Sequence, residues 1–282
     1  MVAEDVPSLV TAMRGLIYFQ VDLRTAPADL HSGSFGGAVP NAVAELVALL
    51  AGLKDEAGRI AIGGWYDDVV DLTDEERANF ADLPFDPERL KAITGVGALP
   101  GEAGYTPLER MSARPTADLN GIWGGFTGVG SKTIIPAEAH AKVSFRLVAD
   151  QEPATLEPLF ERWVRDRAPD HVEVSVRSFG GVKPALTPLD HPGNRAAARA
   201  VARAFGKEPL FYREGGSGPE RALSDALGAA CVYVGVMLPS DRIHAPNERL
   251  LLANYYRGVR AAAYALEEFA KPEVATALRD PG

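Results

Sequence analysis

The sequence has one cysteine, Cys231, among 282 residues, so an intrachain disulfide bond is excluded. It has fewer basic than acidic residues: 29 Lys and Arg against 38 Asp and Glu give a net charge of −9. Because nucleic acids and anionic membrane surfaces need a basic face, neither is expected as the main partner. No apolar run reaches membrane-spanning length, and the start of the chain lacks the basic and apolar regions of a signal peptide. We therefore expect a cytoplasmic protein in which Cys231, inside an apolar strand pattern, is a buried and inert thiol.

The length and a hydrophobic content of 46% allow one large core or two smaller ones, and the usual domain size favours two. Periodicity in the first part of the chain predicts strands and helices at the following positions: strand 15–23, helix 42–53, strand 139–148, helix 153–167 and strand 171–178. This order is typical of a two-layer α+β fold, with helices on one face of an antiparallel, ferredoxin-like sheet.

The segment 55–115 is rich in charged residues, proline and glycine. Its Thr-Asp-Glu-Glu pattern predicts a capped helix at 73–80, and a second helix is predicted at 87–94. We interpret the segment as an insertion that covers one end of a domain.

Residues 184–188 are interpreted as a linker. Beyond them helices and strands are predicted to alternate as in a parallel α/β sheet: helix 193–205, strand 209–212, helix 219–227, strand 230–235 and helix 253–269. The predicted domain limits are therefore 15–184, including the insertion, and 185–282.

The turn Gly215-Gly216-Ser217 follows a predicted strand. Its glycines leave amide N–H groups open to an anion and Ser217 adds a hydroxyl donor, so the turn suits a carboxylate. Taken alone, an ordinary strand-to-helix turn with a capping serine is the commoner use of such a sequence. His244, in a loop with Pro246, is by itself more typical of a surface histidine than of a metal ligand. Together the two features indicate a site, because ligands bind at the carboxyl ends of strands in open α/β sheets.

Two other classes of site are disfavoured. Ser131 interrupts the glycine-lysine pair of a phosphate-binding loop, and a strand instead of a helix follows Thr133. The stretch after Gly215 lacks the second glycine of a serine-hydrolase elbow. His31 lies in a glycine-punctuated loop, which on its own is typical of a hydrogen-bonded loop histidine.

Five motifs resemble, in order, those of the di-zinc exopeptidase family that includes carnosinases, cytosolic dipeptidases, aminoacylases and succinyl-diaminopimelate desuccinylases. The likeness is greatest to the dipeptidase branch. The motifs are Asp29-Leu30-His31-Ser32-Gly33 with Phe35-Gly36-Gly37, Lys132-Thr133-Ile134-Ile135-Pro136, Ser144-Phe145-Arg146-Leu147-Val148, Arg213-Glu214-Gly215-Gly216-Ser217 and His244-Ala245-Pro246-Asn247-Glu248.

The resemblance implies roles for residues of the first domain, which would be a lid that dimerises through its sheet edge or its helices. His31 would cross the interface of a homodimer and act on the oxyanion of the partner's substrate. Thr133 and Arg146 would bind the substrate, the arginine by a bidentate grip on its carboxylate. Asn120 is a weaker candidate for the same pocket.

The resemblance also implies roles in the second domain, which would be the C-terminal part of an α/β zinc-peptidase domain. Gly216 and Ser217 would hold the substrate carboxylate from the other side. His244 would be a ligand to one of two zinc ions. The implied substrate is a small peptide or an acyl-amino acid.

The sequence departs from the family in one respect. The His-x-Asp motif, the bridging aspartate, the glutamate pair with the general base and a further aspartate ligand have no counterpart, so residues 1–14 are interpreted as the remnant of an N-terminal catalytic segment. A catalytic zinc normally takes three protein ligands, so the chain alone is expected to be inactive. We expect a fragment of a longer enzyme or a misplaced start. The alternative is a non-catalytic dimerisation or binding module that acts with a full-length relative.

Overall fold

The computed structural model describes residues 1–279. Its strands are β1 Ser8–Met13, β2 Gly15–Arg24, β3 Leu30–His31, β4 Thr116–Gly124, β5 Ile134–Ile135, β6 Glu138–Leu147, β7 Glu173–Val182, β8 Ala185–Leu186 and β9 Leu210–Glu214. Its helices are α1 Ser32–Phe35, α2 Ala42–Ala51, α3 Asp74–Asp82, α4 Pro87–Thr94, α5 Pro107–Ser112, α6 Pro153–Arg167, α7 Pro192–Phe205, α8 Glu220–Leu227, α9 Leu252–Phe269 and α10 Pro272–Arg279. None of the helices in this described part has the length and apolar character needed to cross a membrane.

A four-stranded sheet has the order β4-β6-β2-β7, and every neighbouring pair in it is antiparallel. Strand β2 alternates buried Ile17, Phe19 and Val21 with half-exposed residues, the period-two pattern that predicted it. Helices α2 and α6 pack against this sheet. Helix α6 has the bounds predicted from its amphipathic pattern. The result is a mixed α and β fold.

The core between this sheet and its helices is aromatic. Phe145 lies with its ring centroid 5.9 Å from that of Phe19, 5.0 Å from that of Phe160 and 4.4 Å from that of Trp65. All four side chains are buried. Aromatic rings bury a large area each, so these four residues contribute much of the stability of this layer.

A three-stranded sheet has the order β8-β1-β9. Strand β1 pairs in parallel with β9, with Ser8 opposite Leu210, and antiparallel with β8, with Ala12 opposite Leu186. The first residues of the chain thus share a sheet with residues beyond 184. The interpretation of 184–188 as a linker is wrong, because two of these residues complete this sheet. Strand β9 does pair in parallel, but its partner is β1, a strand that was not predicted, and β8 pairs antiparallel.

The strand predicted at 230–235 is also wrong. Tyr233 forms an isolated bridge with Val10, and the rest of the stretch is irregular. An apolar run forms a strand when a neighbour offers a continuous row of backbone partners, and here one bridge is made. Cys231 is accordingly half-buried, not enclosed in a strand, and its thiol donates to the Glu220 carbonyl at 3.4 Å.

The segment 55–115 packs into both regions. Ile60, Ile62 and Trp65 join the core of the four-stranded sheet. Leu72 and Phe80 form a separate cluster that also contacts residues of β9. The prediction of a cover over one end was therefore incomplete, because apolar residues of this charged stretch pack into both regions, whereas Ile93, Val96 and Met111 are exposed. The predicted cap of α3 is confirmed: Glu76 N donates to Thr73 Oγ1 at 3.2 Å, and Thr73 N donates to Glu76 Oε2 at 2.9 Å.

A buried ion pair fastens this segment to β9. Arg213 donates from Nε and Nη2 to the two carboxylate oxygens of Glu76, both at 2.8 Å. The same guanidinium donates to the carbonyls of Val70 at 2.9 Å and Asp71 at 3.2 Å. Both side chains of the pair are almost fully buried. A planar arginine fork suits this bidentate arrangement, and it holds β9 in a set position just before Gly215.

Candidate functional site

Arg146 and Ser217 meet, although 71 positions separate them in the chain. Arg146 Nη1 donates to Ser217 Oγ at 2.8 Å. Arg146 lies near the end of β6 in the four-stranded sheet, and Ser217 follows β9 of the three-stranded sheet. The contact therefore joins two predicted site residues from different sheets and places a guanidinium over the Gly215–Ser217 turn. A guanidinium beside a hydroxyl can bind an anion through several N–H and O–H donors.

The glycine amides of this turn are not open, contrary to expectation. Glu214 Oε1 accepts from Gly215 N at 2.8 Å and from Gly216 N at 3.3 Å. The other carboxylate oxygen accepts from the Tyr212 hydroxyl at 3.1 Å. Burial and the nearby Glu214 carboxylate raise the pKa of Tyr212, so this hydroxyl stays protonated and can donate. The turn does hold a carboxylate, but it is a side chain of the same protein.

Gly215 is required by the close approach of α5. A Cβ atom at this position would lie 2.4 Å from the carbonyl oxygen of Met111, a distance that side-chain carbons do not adopt. Gly216 has no such neighbour, since its nearest atom would be Met13 Cε at 3.7 Å. The segment 55–115 thus contacts the turn directly through α5, a helix that the sequence analysis did not predict.

His31 and Thr133 lie together at the opposite end of the four-stranded sheet. Strands β3 and β5 pair His31 with Ile134, and Ser32 N donates to the Thr133 carbonyl at 2.9 Å. Both side chains are exposed. His31 Nδ1 accepts from Ser34 N at 3.2 Å and so caps the short helix α1.

These two residues and Arg146 do not share a pocket within one chain. Strand β6 runs from Glu138, next to the His31 and Thr133 end, to Leu147, next to Arg146. Eight residue steps along the strand separate Glu138 from Arg146, which corresponds to about 26 Å at about 3.3 Å per residue. Asn120 is exposed between them, at an irregularity where β4 shifts register against β6.

His244 is exposed in a tight turn. Its φ is 61°, and Arg242 and Asn247 are also left-handed, with φ of 59° and 62°. Left-handed backbone at three non-glycine residues indicates a loop held in an uncommon shape. No group of three or more His, Cys, Asp or Glu side chains within residues 1–279 is placed to hold a metal ion. The described residues therefore do not build a complete metal site around His244.

Motif reasoning missed other residues at the turn. Arg14, between β1 and β2, donates from its backbone to Gly216 O and from Nε to Gly215 O, both at 2.9 Å. Its sequence signal is weak, since an arginine between two strands is common.

A cleft of about 480 Å³ beside β1 was also not predicted, and Thr11, Thr187 and Arg221 are among its lining residues. None of the seven predicted site residues lines it.

Comparisons with known proteins agree with the family resemblance that the motifs carry. The family model described as "Peptidase dimerisation domain" matches residues 11–172. The Cys-Gly metallodipeptidase DUG1 of Saccharomyces cerevisiae is 30% identical over 277 residues, which cover 94% of this chain and 56% of the relative. The Beta-Ala-His dipeptidase of Homo sapiens is 30% identical over 271 residues, covering 94% of this chain and 54% of the relative. The chain thus spans about half the length of the curated relatives it matches.

Solved structures give the same result. The crystal structure of human carnosine dipeptidase 1 superposes with a TM-score of 0.72 at 30% identity, covering 95% of this chain and 57% of that one. The M20 family metallo-carboxypeptidase Sso-CP2 from Sulfolobus solfataricus superposes with a TM-score of 0.81 at 29% identity, covering 94% and 60%. The motifs, the two sheets and these matches lead to one conclusion: the chain belongs to the M20 peptidase family and carries its dimerisation domain.

Proposed function

We propose that this chain is the dimerisation and carboxylate-binding part of a zinc-dependent, dipeptidase-like amide hydrolase. One observation carries the proposal: Arg146 Nη1 donates to Ser217 Oγ at 2.8 Å, so two motif residues from different sheets lie together beside one positive charge. An enzyme that cleaves dipeptides or acyl-amino acids needs a cation for the free carboxylate of its substrate. In this proposal Arg146 grips that carboxylate, and Gly216 and Ser217 bound the pocket from the other side.

The roles of His31 and Thr133 are proposed for the pocket of a second copy. Their end of β6 is about 26 Å from Arg146 along the strand, which is too far for a dipeptide to touch both. Within a homodimer the exposed His31 and Thr133 of one chain would face the Arg146 of the other. His31 would then donate to the oxyanion that develops on the substrate carbonyl. Asn120, exposed on β4, is the candidate to line the same shared pocket.

We propose that the four-stranded sheet with α2 and α6 forms the ferredoxin-like lid, and that β4 is the edge that pairs with a second copy. Leu119, Ile122 and Trp123 on β4 are 50%, 48% and 43% exposed. The other edge strand, β7, carries the charged residues Glu173 and Arg177. Charges on an edge strand oppose pairing with another chain, and exposed apolar residues favour it.

His244 is proposed as one zinc ligand, but the described part of the chain offers no group of side chains that would complete the site. In this proposal the other zinc ligands and the general base would come from a segment like the part of the relatives that has no counterpart in this chain. The alternative is a non-catalytic dimerisation or binding module. It would form the same dimer and bind the same carboxylate without the catalytic segment.

The proposal is tested with a chimera. The part of yeast DUG1 that has no counterpart in this chain is fused to it, the purified protein is loaded with zinc, and hydrolysis of dipeptides such as Cys-Gly is measured. We expect zinc-dependent cleavage. Arg146→Gln should raise KM by about 10-fold to 100-fold, because it removes a charge-assisted hydrogen bond of about 1.5–3 kcal/mol. If a folded, zinc-loaded chimera cleaves no dipeptide or acyl-amino acid, the hydrolase function is contradicted. The non-catalytic module is then the function that fits the chain.

The dimer is tested on the chain itself by light scattering after size exclusion. Ile122→Asp on β4 should shift the protein from dimer to monomer, because a charge at the centre of the proposed interface loses its water. Phe179→Asp on β7, a residue 51% exposed, is the matched control and should leave the dimer intact. If Phe179→Asp gives a monomer and Ile122→Asp leaves the dimer intact, the interface lies at the β7 edge instead.

A further inference from the structure

Arg14 holds the Gly215–Ser217 turn by two bonds. It lies between the end of β1 and the start of β2, where the chain passes from one sheet to the other. Its backbone N–H donates to Gly216 O and its Nε donates to Gly215 O, each at 2.9 Å. Arg14 is thus fixed against Gly215 and Gly216, and Arg146 reaches Ser217 of the same turn.

Part of the Arg14 guanidinium has no partner. Nη1 is enclosed by protein, and among residues 1–279 it finds no hydrogen-bond acceptor. A guanidinium has five N–H donors, and a buried charged donor without an acceptor is costly. Burial and the neighbouring charge of Arg146 lower the pKa of Arg14 to about 10, although Asp118 and Glu214 act in the opposite direction. Burial is the largest cause of this shift, so the Arg14 guanidinium is poorly solvated even with two carboxylates nearby.

The two guanidinium groups converge on one turn. Arg14 bonds to Gly215 and Gly216, and Arg146 bonds to Ser217. Since consecutive Cα atoms are about 3.8 Å apart, these bonding partners lie within about 8 Å of each other. The amides of Gly215 and Gly216 already hold the Glu214 carboxylate, so they are not free to bind another. The donors left for a ligand are on the arginines and on the Ser217 hydroxyl.

We propose that Arg14 is a second anion-binding residue, and that Arg14 and Arg146 together hold the carboxylate of a short peptide or acyl-amino acid at this turn. The inference rests on the proposed function and deepens it. Two arginines can offer four or more N–H donors to one carboxylate, which accepts about four hydrogen bonds. A ligand carboxylate bound there would add negative charge beside the Arg14 guanidinium, whose enclosed Nη1 has no acceptor within residues 1–279.

The test is a titration of the isotopically labelled chain followed by NMR. The probe is N-acetyl-L-alanine, which has the carboxylate and no amine, and N-acetyl-L-alaninamide is its neutral counterpart. We expect the acid to shift the amide signals of Gly216 and Ser217 and the Nε–Hε signal of Arg14, and the amide to shift none of them. Arg14→Gln and Arg146→Gln should each weaken binding of the acid about 10-fold to 100-fold.

The control is Arg165→Gln, which removes one positive charge from the exposed face of α6 and should leave the affinity unchanged. The inference is overturned if Arg146→Gln loses binding while Arg14→Gln binds as the unsubstituted chain does, because Arg14 would then merely support the turn. If Arg14→Gln does not fold, the unsubstituted chain decides: an Arg14 Nε–Hε signal that stays still while that of Arg146 moves also overturns it. If the acid fails to bind the unsubstituted chain, the carboxylate pocket of the proposed function fails as well.

Discussion

The four-stranded and the three-stranded sheet differ in how much of their apolar surface this chain covers. Helices α2 and α6 close one face of the four-stranded sheet over a core of large side chains such as Phe19 and Phe145, both fully buried. Beside the three-stranded sheet the buried cluster is smaller and half of it is alanine: Leu9, Ala197, Val201 and Ala261. Because buried apolar area stabilises a fold by about 25 cal/mol per Å², the first region is the more stable of the two.

The helices near the three-stranded sheet also expose large apolar side chains. Leu227 of α8 is 74% exposed, and Leu252 and Leu266 of α9 are 70% and 72% exposed. Exposed apolar surface of this kind is typical of a face that another polypeptide covers. Both regions therefore present apolar surface, but that of the second lies on its helices and is more exposed than Leu119, Ile122 and Trp123 on β4 of the first.

The largest effect should come from matched cavities in the two cores. Leu46 of α2 and Leu9 of β1 are both fully buried. Leu46→Ala should cost about 4 kcal/mol, because the larger cluster around it can collapse little into the space. Leu9→Ala should cost about 2 kcal/mol, because its cluster is smaller and half of its buried members are alanine. Native-state hydrogen exchange of amides in β6 and β9 measures the loss of stability in each sheet separately. Equal losses for the two variants would contradict the claim that the two cores differ.

The buried ion pair of Arg213 and Glu76, which links the two regions, should affect the free energy of unfolding nearly as much. Arg213→Met leaves the Glu76 carboxylate buried without its partner and should lower the free energy of unfolding by about 3 kcal/mol. The control replaces both partners: Arg213→Met with Glu76→Leu should recover most of the loss, since an apolar pair carries no unpaired charge. Urea unfolding measures both variants. A double variant no more stable than Arg213→Met would mean that the bonds to Val70 and Asp71 matter more than the ion pair.

The same pair gives a pH dependence. Burial raises the pKa of the Glu76 carboxyl, but hydrogen bonds from Arg213 and Thr73 outweigh burial, so its pKa in the folded protein is lowered. A lowered carboxyl pKa adds stability above the unfolded value, about 4.3 for glutamate, and that stability is lost as pH falls through the folded value. Unfolding free energies measured between pH 6 and pH 3 (roughly one unit or more on either side of that value) should therefore fall more steeply than in Glu76→Gln. Parallel pH profiles of the two proteins would contradict the prediction.

The sequence predicted local elements well and remote contacts poorly. Helix α6 and strand β2 have their own hydrophobic period, and Thr73 with Glu76 has a local capping pattern, so each could be recognised without its neighbours. The strand at 230–235 failed because a strand depends on a partner far away in the chain, and no local pattern shows whether that partner is free.

The candidate site follows the same rule. Motifs named Arg146 and Ser217, and the structure brings them within hydrogen-bond distance. Motifs did not show that Thr133 lies with His31, nor that Glu214 occupies the glycine amides. Arg14 was missed because its role depends on a contact across 201 positions. Residue types could be predicted, but their grouping needed the pairing of β6, β1 and β9.

The smallest effect is expected on the exposed face of α9. Leu266→Gln replaces a side chain that is 72% exposed with a polar residue of similar helix propensity, so the free energy of unfolding should change by less than about 0.5 kcal/mol. The same change should reduce binding of a hydrophobic dye, because it removes apolar surface from water. Ala261→Gln on the same helix is the control, and it should destabilise the protein by more than about 2 kcal/mol, since Ala261 is fully buried and a longer polar side chain has no room. If Leu266→Gln instead costs as much as Ala261→Gln, the face is already covered in solution by another copy of the chain, and the two sheets differ less than their exposed residues suggest.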